Sequence, residues 1–87
     1  MLPAMFRMTV NGVFSIRGRG TVVAGRIEEG SVSAGDEVRV DDWTTARVES
    51  IEVARHMVPQ ASAGDEAGLL FTSLDKASVQ RGSVLTG

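Results

Sequence analysis

The residues of this chain that could carry chemistry are few, and spacing gives none of them a partner. The single histidine, His56, follows Arg55 and has neither a second histidine nor a serine–acid pair at a suggestive distance. It reads as a surface histidine at a strand end. A metal site needs several ligands at a recognisable spacing; one histidine, scattered carboxylates and no cysteine do not supply one. Glu28-Glu29 and Asp41-Asp42 are sequence neighbours. Neighbours in a strand point to opposite faces, so neither pair makes an acid–base dyad. A phosphate cradle needs glycines feeding a helix N-terminus and a lysine that reaches the phosphates. Gly18-Arg19-Gly20 lies instead between β-prone runs, and the one lysine, Lys76, is near the far end. The expectation is a non-catalytic chain with no metal, no cofactor and no GTP binding of its own.

The elements that must position any binding surface are short β-runs punctuated by glycine. Phe6, Met8 and Val10 alternate with Arg7, Thr9 and Asn11, the period of a half-buried strand. Asn11-Gly12 is a hairpin signal that a bulge or tight bend would share. Val13 to Arg17 resumes the strand, Gly18-Arg19-Gly20 turns it, and Thr21 to Glu28 is a longer run. Gly25 inside that run marks a bulge or a close backbone approach. The pentapeptide Ser-Ala-Gly-Asp-Glu occurs at 33–37 and again at 62–66. Gly35 and Gly64 are expected at positive φ, turning the chain before a strand, with Asp36 and Asp65 bonding nearby amides. Asp41-Asp42 predicts a turn before Trp43. Thr44 to Ala54 is a long run whose register must shift between Val48 and Ile51. Met57-Val58-Pro59 suits an edge strand, because proline cannot donate to a ladder. Asp75 can cap one helical turn before Gly82, and Ser83 to Thr86 forms the last strand. This is an all-β barrel or sandwich with at most one short helical turn.

Eighty-seven residues hold one core, so residues 1–87 are read as a single domain. The start, Met-Leu-Pro-Ala-Met-Phe-Arg, has no apolar run of signal-peptide length, and no stretch approaches the roughly 20 apolar residues of a membrane span. A soluble, cytoplasmic monomer without membrane contact is expected. Net charge is −2, against the basic balance of a general nucleic-acid binder. Yet Arg17, Arg19 and Arg26 fall close together, and arginine and tryptophan are typical interface hot spots. Those three and Trp43 are the expected interaction surface.

Val13-Phe14-Ser15-Ile16-Arg17-Gly18-Arg19-Gly20-Thr21-Val22-Val23-Ala24-Gly25-Arg26-Ile27-Glu28 resembles the opening of the second domain of elongation factor Tu. Ala34-Gly35-Asp36, Val48 to Arg55, Ala63-Gly64-Asp65 with Gly68-Leu69-Leu70, and Arg81 to Leu85 follow in that family's order. The resemblance runs from Phe6 to Leu85 and implies a six-stranded antiparallel β-barrel. In the family this barrel helps hold the aminoacylated 3′ end of tRNA against a GTPase domain. Phe14, Ile16, Gly18 and Val22 match positions lining the terminal-adenosine and amino-acid pocket, Glu52 one beside the adenosine, and Leu70 an apolar wall. Asn11-Gly12 stands where the family has two acidic residues, Glu66 where it has an asparagine, Ala24 for a threonine and Glu29 for an arginine. Apolar barrel residues are usually core, so packing is the expected role of Phe14, Ile16, Val22 and Leu70. The lost polar partners and the charge predict tRNA binding that is weak or absent. The leading expectation is a stand-alone adaptor that docks on a protein partner, such as a translational GTPase domain; the alternative is a module binding the aminoacyl end of tRNA beside one.

Overall fold

Alternation of apolar residues with period two dominates the chain, and the computed structural model, which describes residues 5–87, is built almost wholly of antiparallel strands. They are β1 (Arg7–Ile16), β2 (Gly20–Glu29), β3 (Ser31–Ser33), β4 (Glu37–Val40), β5 (Thr44–Arg47), β6 (Ser50–Val53), β7 (His56–Val58), β8 (Gln60–Ser62), β9 (Glu66–Phe71) and β10 (Val84–Thr86). Eight form one curled, barrel-like sheet in the order β5-β4-β10-β1-β2-β9-β6-β7, and β3 pairs with β8 in a separate ribbon. The expected six strands appear as ten shorter segments, because tight turns and a break at Val48-Glu49 interrupt them. Val48 donates to the Asp36 carbonyl and Glu49 to that of Leu70, linking two distant parts of the sheet. The residues 1–4 of the leader reading lie outside the described residues.

Inward-facing Met8, Val10, Val23, Ile27, Val40, Ile51, Leu69, Phe71 and Leu85 are buried and fill the core. Thr21 is buried with them, and its Oγ1 donates to the Leu74 carbonyl at 2.8 Å. No helix among the described residues is long and apolar enough to cross a membrane. The single helical turn among the described residues is a 3-10 segment, Lys76–Ser78, whose N-cap Asp75 accepts from the Ala77 amide.

The repeated pentapeptide is one device used twice. Asp36 Oδ2 accepts from Ser33 N at 2.8 Å, and Asp65 Oδ2 from Ser62 N at 2.9 Å. Gly35 N donates to the Val48 carbonyl while Val48 N donates to that of Asp36; Gly64 and Asp65 exchange the same two bonds with Ile27. The strands before the two turns, β3 and β8, pair with each other, Ser31 opposite Ser62 and Ser33 opposite Gln60. The two turns are therefore related by a local two-fold axis through the ribbon. Gly35 has φ 95° and Gly64 φ 97°. Neither site crowds an added Cβ, the nearest atom being Arg47 Nη2 at 3.9 Å from Gly35. Alanine at either should therefore cost only the backbone strain, about 1 kcal/mol. Thermal melts should show midpoints lower by roughly 4–8 °C for each, and unchanged midpoints would contradict the turn geometry.

Candidate functional site

A β-bulge decides which side chains this domain shows to its surroundings. Along β1 and β2 the partners run Thr9–Arg26 and Val10–Gly25, then Gly12–Ala24, Val13–Val23 and Phe14–Val22, so Asn11 is the extra residue. An inserted residue inverts every later side chain on a strand of period two. Phe6, Met8 and Val10 point inward. Without the bulge Phe14 and Ile16 would follow them. With it they turn outward, 55% and 41% exposed. The expectation that these two are core is overturned, and Asn11-Gly12 makes the bulge rather than a hairpin. Val22 is half-buried on the same outward face, while Leu70, 7% exposed, is packed as expected.

Cross-strand pairing then assembles the face. One row runs Phe14, Val22, Leu70, Ser50 across β1, β2, β9 and β6; the next runs Gly12, Ala24, Gly68, Glu52, Met57 and reaches β7. Two shallow clefts flank these rows. The smaller, 130 Å³, is lined by Ile16, Arg19, Val22, Ser50, Glu52, Met57, Gly68 and Leu70. The larger, 380 Å³, has Asn11, Phe14, Ala24, Ala54, Arg55 and Glu66 among its walls. Val22, Glu52 and Gly68 border both. Gly68 keeps the floor low: a Cβ there would already touch Val22 Cγ1 at 3.5 Å.

Of the residues singled out in the sequence, Phe14, Ile16, Val22, Glu52, Leu70 and Arg19 meet on this face. Gly18, φ 77°, shapes the β1–β2 turn that carries Arg17 and Arg19, and Arg26 lies opposite Glu66 on β2 and β9. The ion pairs among the described residues are Arg7–Glu28 and Arg39–Asp42, so the arginines of this face are uncommitted. Trp43 does not join them. It is exposed beside the β4–β5 turn, where Asp41 and Asp42 have φ 51° and 61°, toward the opposite end of the sheet order from β6 and β7.

Sequence reasoning missed the β6–β7 hairpin. Val53 pairs with His56 across only Ala54 and Arg55, both at positive φ, 52° and 68°. Such turns normally use asparagine or glycine, and without either the run to Ala54 reads as unbroken strand. Its geometry brings Arg55 to the rim of the larger cleft and Met57 to the smaller. Among the described residues no group of three or more histidine, cysteine or carboxylate side chains is placed to hold a metal.

The family profile described as elongation factor Tu domain 2 matches residues 20–86. The chain belongs to this family. Two solved structures show how closely the family barrel is kept. Translation elongation factor SelB from Methanococcus maripaludis, apo form, is 37% identical over 95% of this chain, with a TM-score of 0.87. A bacterial selenocysteine-specific elongation factor, EF-Sec, is 32% identical over 92%, with a TM-score of 0.84. The SelB complex with the GTP analogue GPPNHP superimposes equally well, at 0.87. The chain spans 19% of the SelB chain and 14% of the EF-Sec chain. It corresponds to one domain of such a factor.

Proposed function

We propose that this barrel is a non-catalytic binding module of translation elongation, and that its outward β1–β2–β9–β6 face receives the aminoacyl end of a tRNA beside a separate GTPase domain. The observation that carries this reading is the outward turn of Phe14 and Ile16 by the bulge at Asn11, next to Val22, Leu70 and Glu52. An exposed aromatic ring on a sheet is a platform for an unstacked base, the usual target of proteins that read RNA ends. Arg19 and Arg55 balance Glu52 and Glu66 among the residues that line the two clefts, so the face is locally neutral on a chain of net charge −2. Both clefts are open, and the smaller lies below the 300–1,000 Å³ of a self-sufficient small-molecule site. A second body must cover the ligand, which suits a GTPase domain and predicts weak binding by the barrel alone.

A protein-docking adaptor is the second reading, favoured by the exposed apolar side chains Phe14, Ile16 and Met57 and the uncommitted arginines. One experiment separates the two. Acceptor-stem RNA, charged and uncharged, is titrated into the 87-residue chain with and without a translational GTPase domain. Charged RNA should be preferred, and Phe14→Ala should weaken it about tenfold, at the lower end of what one base–aromatic stack contributes. Tight binding to the GTPase domain with no discrimination between the RNAs would establish the adaptor instead.

A further inference from the structure

Trp43 belongs to no part of that face, yet at 65% it is the most exposed aromatic side chain among the described residues. It borders a separate cleft of 220 Å³, lined by Asp41 and Trp43 of the β4–β5 turn and by Ser78, Gln80 and Ser83 from the stretch before β10. Hydrogen bonds tie the two walls together. Asp41 N donates to the Val84 carbonyl at 2.9 Å, Val84 N donates to Asp41 Oδ1 at 2.8 Å, and Gln80 N donates to Ser83 Oγ at 3.1 Å. The other Asp41 oxygen has no donor among the described residues. Asp42 is paired with Arg39, Nε to Oδ1 at 3.6 Å, between two well exposed side chains, and such a pair contributes little. The cleft lining holds the Asp41 carboxylate and the indole and no cation. Turn geometry does not ask for these acids: Asp41 and Asp42 sit at positive φ, where asparagine or glycine is the usual occupant.

We propose that this end of the barrel is a protein-docking surface whose occupant is a basic segment of a partner protein, with an arginine laid over Trp43. The site is separate from the outward β1–β2–β9–β6 face and does not depend on what that face binds. A guanidinium stacks flat on an indole, the best of the aromatic faces for a cation, and its N–H groups donate to the free Asp41 oxygen. Ser78 and Gln80 offer neutral hydrogen-bonding groups on the other wall. Asp42 adds a second negative charge, because an incoming arginine replaces Arg39 in a weak, exposed pair. Tryptophan and arginine are also the residues that most often carry binding energy across protein interfaces. RNA fits poorly here, since its phosphates would meet Asp41 and Asp42 with no cation in the lining to receive them.

The probe is an acetylated peptide of alternating arginine and glycine, compared with its citrulline counterpart, which keeps the planar side chain and loses the charge. Trp43 is the only tryptophan, so its emission reports the cleft directly, and amide shifts followed by NMR place the contact. At low salt the 87-residue chain should bind the arginine peptide about fivefold more tightly than the citrulline one, the scale of a cation–π contact with an exposed ion pair. The arginine peptide should change the Trp43 emission and shift the amides of Asp42 to Thr44 and Ser78 to Gln80. Asp41→Asn keeps an acceptor for the Val84 amide and suits a positive φ, so it should fold as wild type does and bind the arginine peptide about threefold more weakly. Trp43→Leu should remove the shifts. Equal affinity for the two peptides, or arginine-peptide shifts confined to the face around Phe14, would overturn the proposal. Acceptor-stem RNA that moves the Trp43 amides more than the peptide does would give the site to RNA and overturn it too. Self-association without peptide that Trp43→Leu abolishes would give the cleft to the Arg17-Gly18-Arg19 turn of a second copy, against the partner proposed.

Discussion

Gly25→Ala is expected to remove about 3 kcal/mol of stability, the upper range for forcing extra volume into packed structure. Gly25 is buried in the middle of β2, opposite Val10 on β1 and Ala67 on β9. A Cβ there would be driven into the carbonyl oxygen of Thr9 and would stand 3.4 Å from Met8 Cγ. The first obstacle is backbone next to the bulge, so no flexible side-chain tip can give way. A domain of this size holds roughly 4–13 kcal/mol in total, so the variant should lose much of its margin. Urea titration should show a lower midpoint at unchanged slope. Gly68→Ala is the control: its Cβ would make only ordinary contact with Val22 Cγ1, and its midpoint should stay within about 0.5 kcal/mol of wild type. A Gly25→Ala midpoint equal to wild type would mean that β1 does not close over β2 in this way.

Phe71→Ala should be as damaging, at about 3–5 kcal/mol, because the ring is fully buried at the end of β9 and its removal leaves a cavity that the barrel cannot collapse. Phe14→Ala should cost less than about 0.5 kcal/mol, since that ring is 55% exposed and outside the core. The same substitution in the two phenylalanines therefore separates packing from display. Equal losses in chemical denaturation would put Phe14 back into the core and remove the platform on which the functional reading stands.

The parts of this fold legible in the sequence are those fixed by local chemistry. Gly35 and Gly64 turn at positive φ because no other residue does so cheaply, and Asp36, Asp65 and Asp75 cap amides within three residues of themselves. Pro59 ends β7, which lies at the sheet edge. The register shift between Val48 and Ile51 is the break between β5 and β6. What stayed hidden depends on relations between strands. One unpaired residue, Asn11, decides the orientation of Phe14 and Ile16, and the signal at Asn11-Gly12 could not distinguish a hairpin from a bulge. The Ala54-Arg55 turn carries no turn residue, so only pairing of Val53 with His56 reveals it. Ser50, Met57 and Gly68 join the site through β6, β7 and β9 partnerships that no linear spacing encodes. Resemblance pointed to six positions; geometry puts five of them, Phe14, Ile16, Val22, Glu52 and Leu70, on one face with Gly18 in the adjoining turn, and separates Trp43 from it.

The most direct test of the central claim, that the outward β1–β2–β9–β6 face is the binding surface, is amide chemical-shift mapping. The 87-residue chain is titrated with charged acceptor-stem RNA in the presence of a translational GTPase domain, then with uncharged RNA. The account predicts charged-RNA shifts concentrated at Phe14 to Val22, Ser50 to Met57 and Glu66 to Leu70, with Trp43 and the β3–β8 ribbon unmoved. Shifts centred on Trp43 and the β4–β5 turn, or a map identical for charged and uncharged RNA, would contradict it.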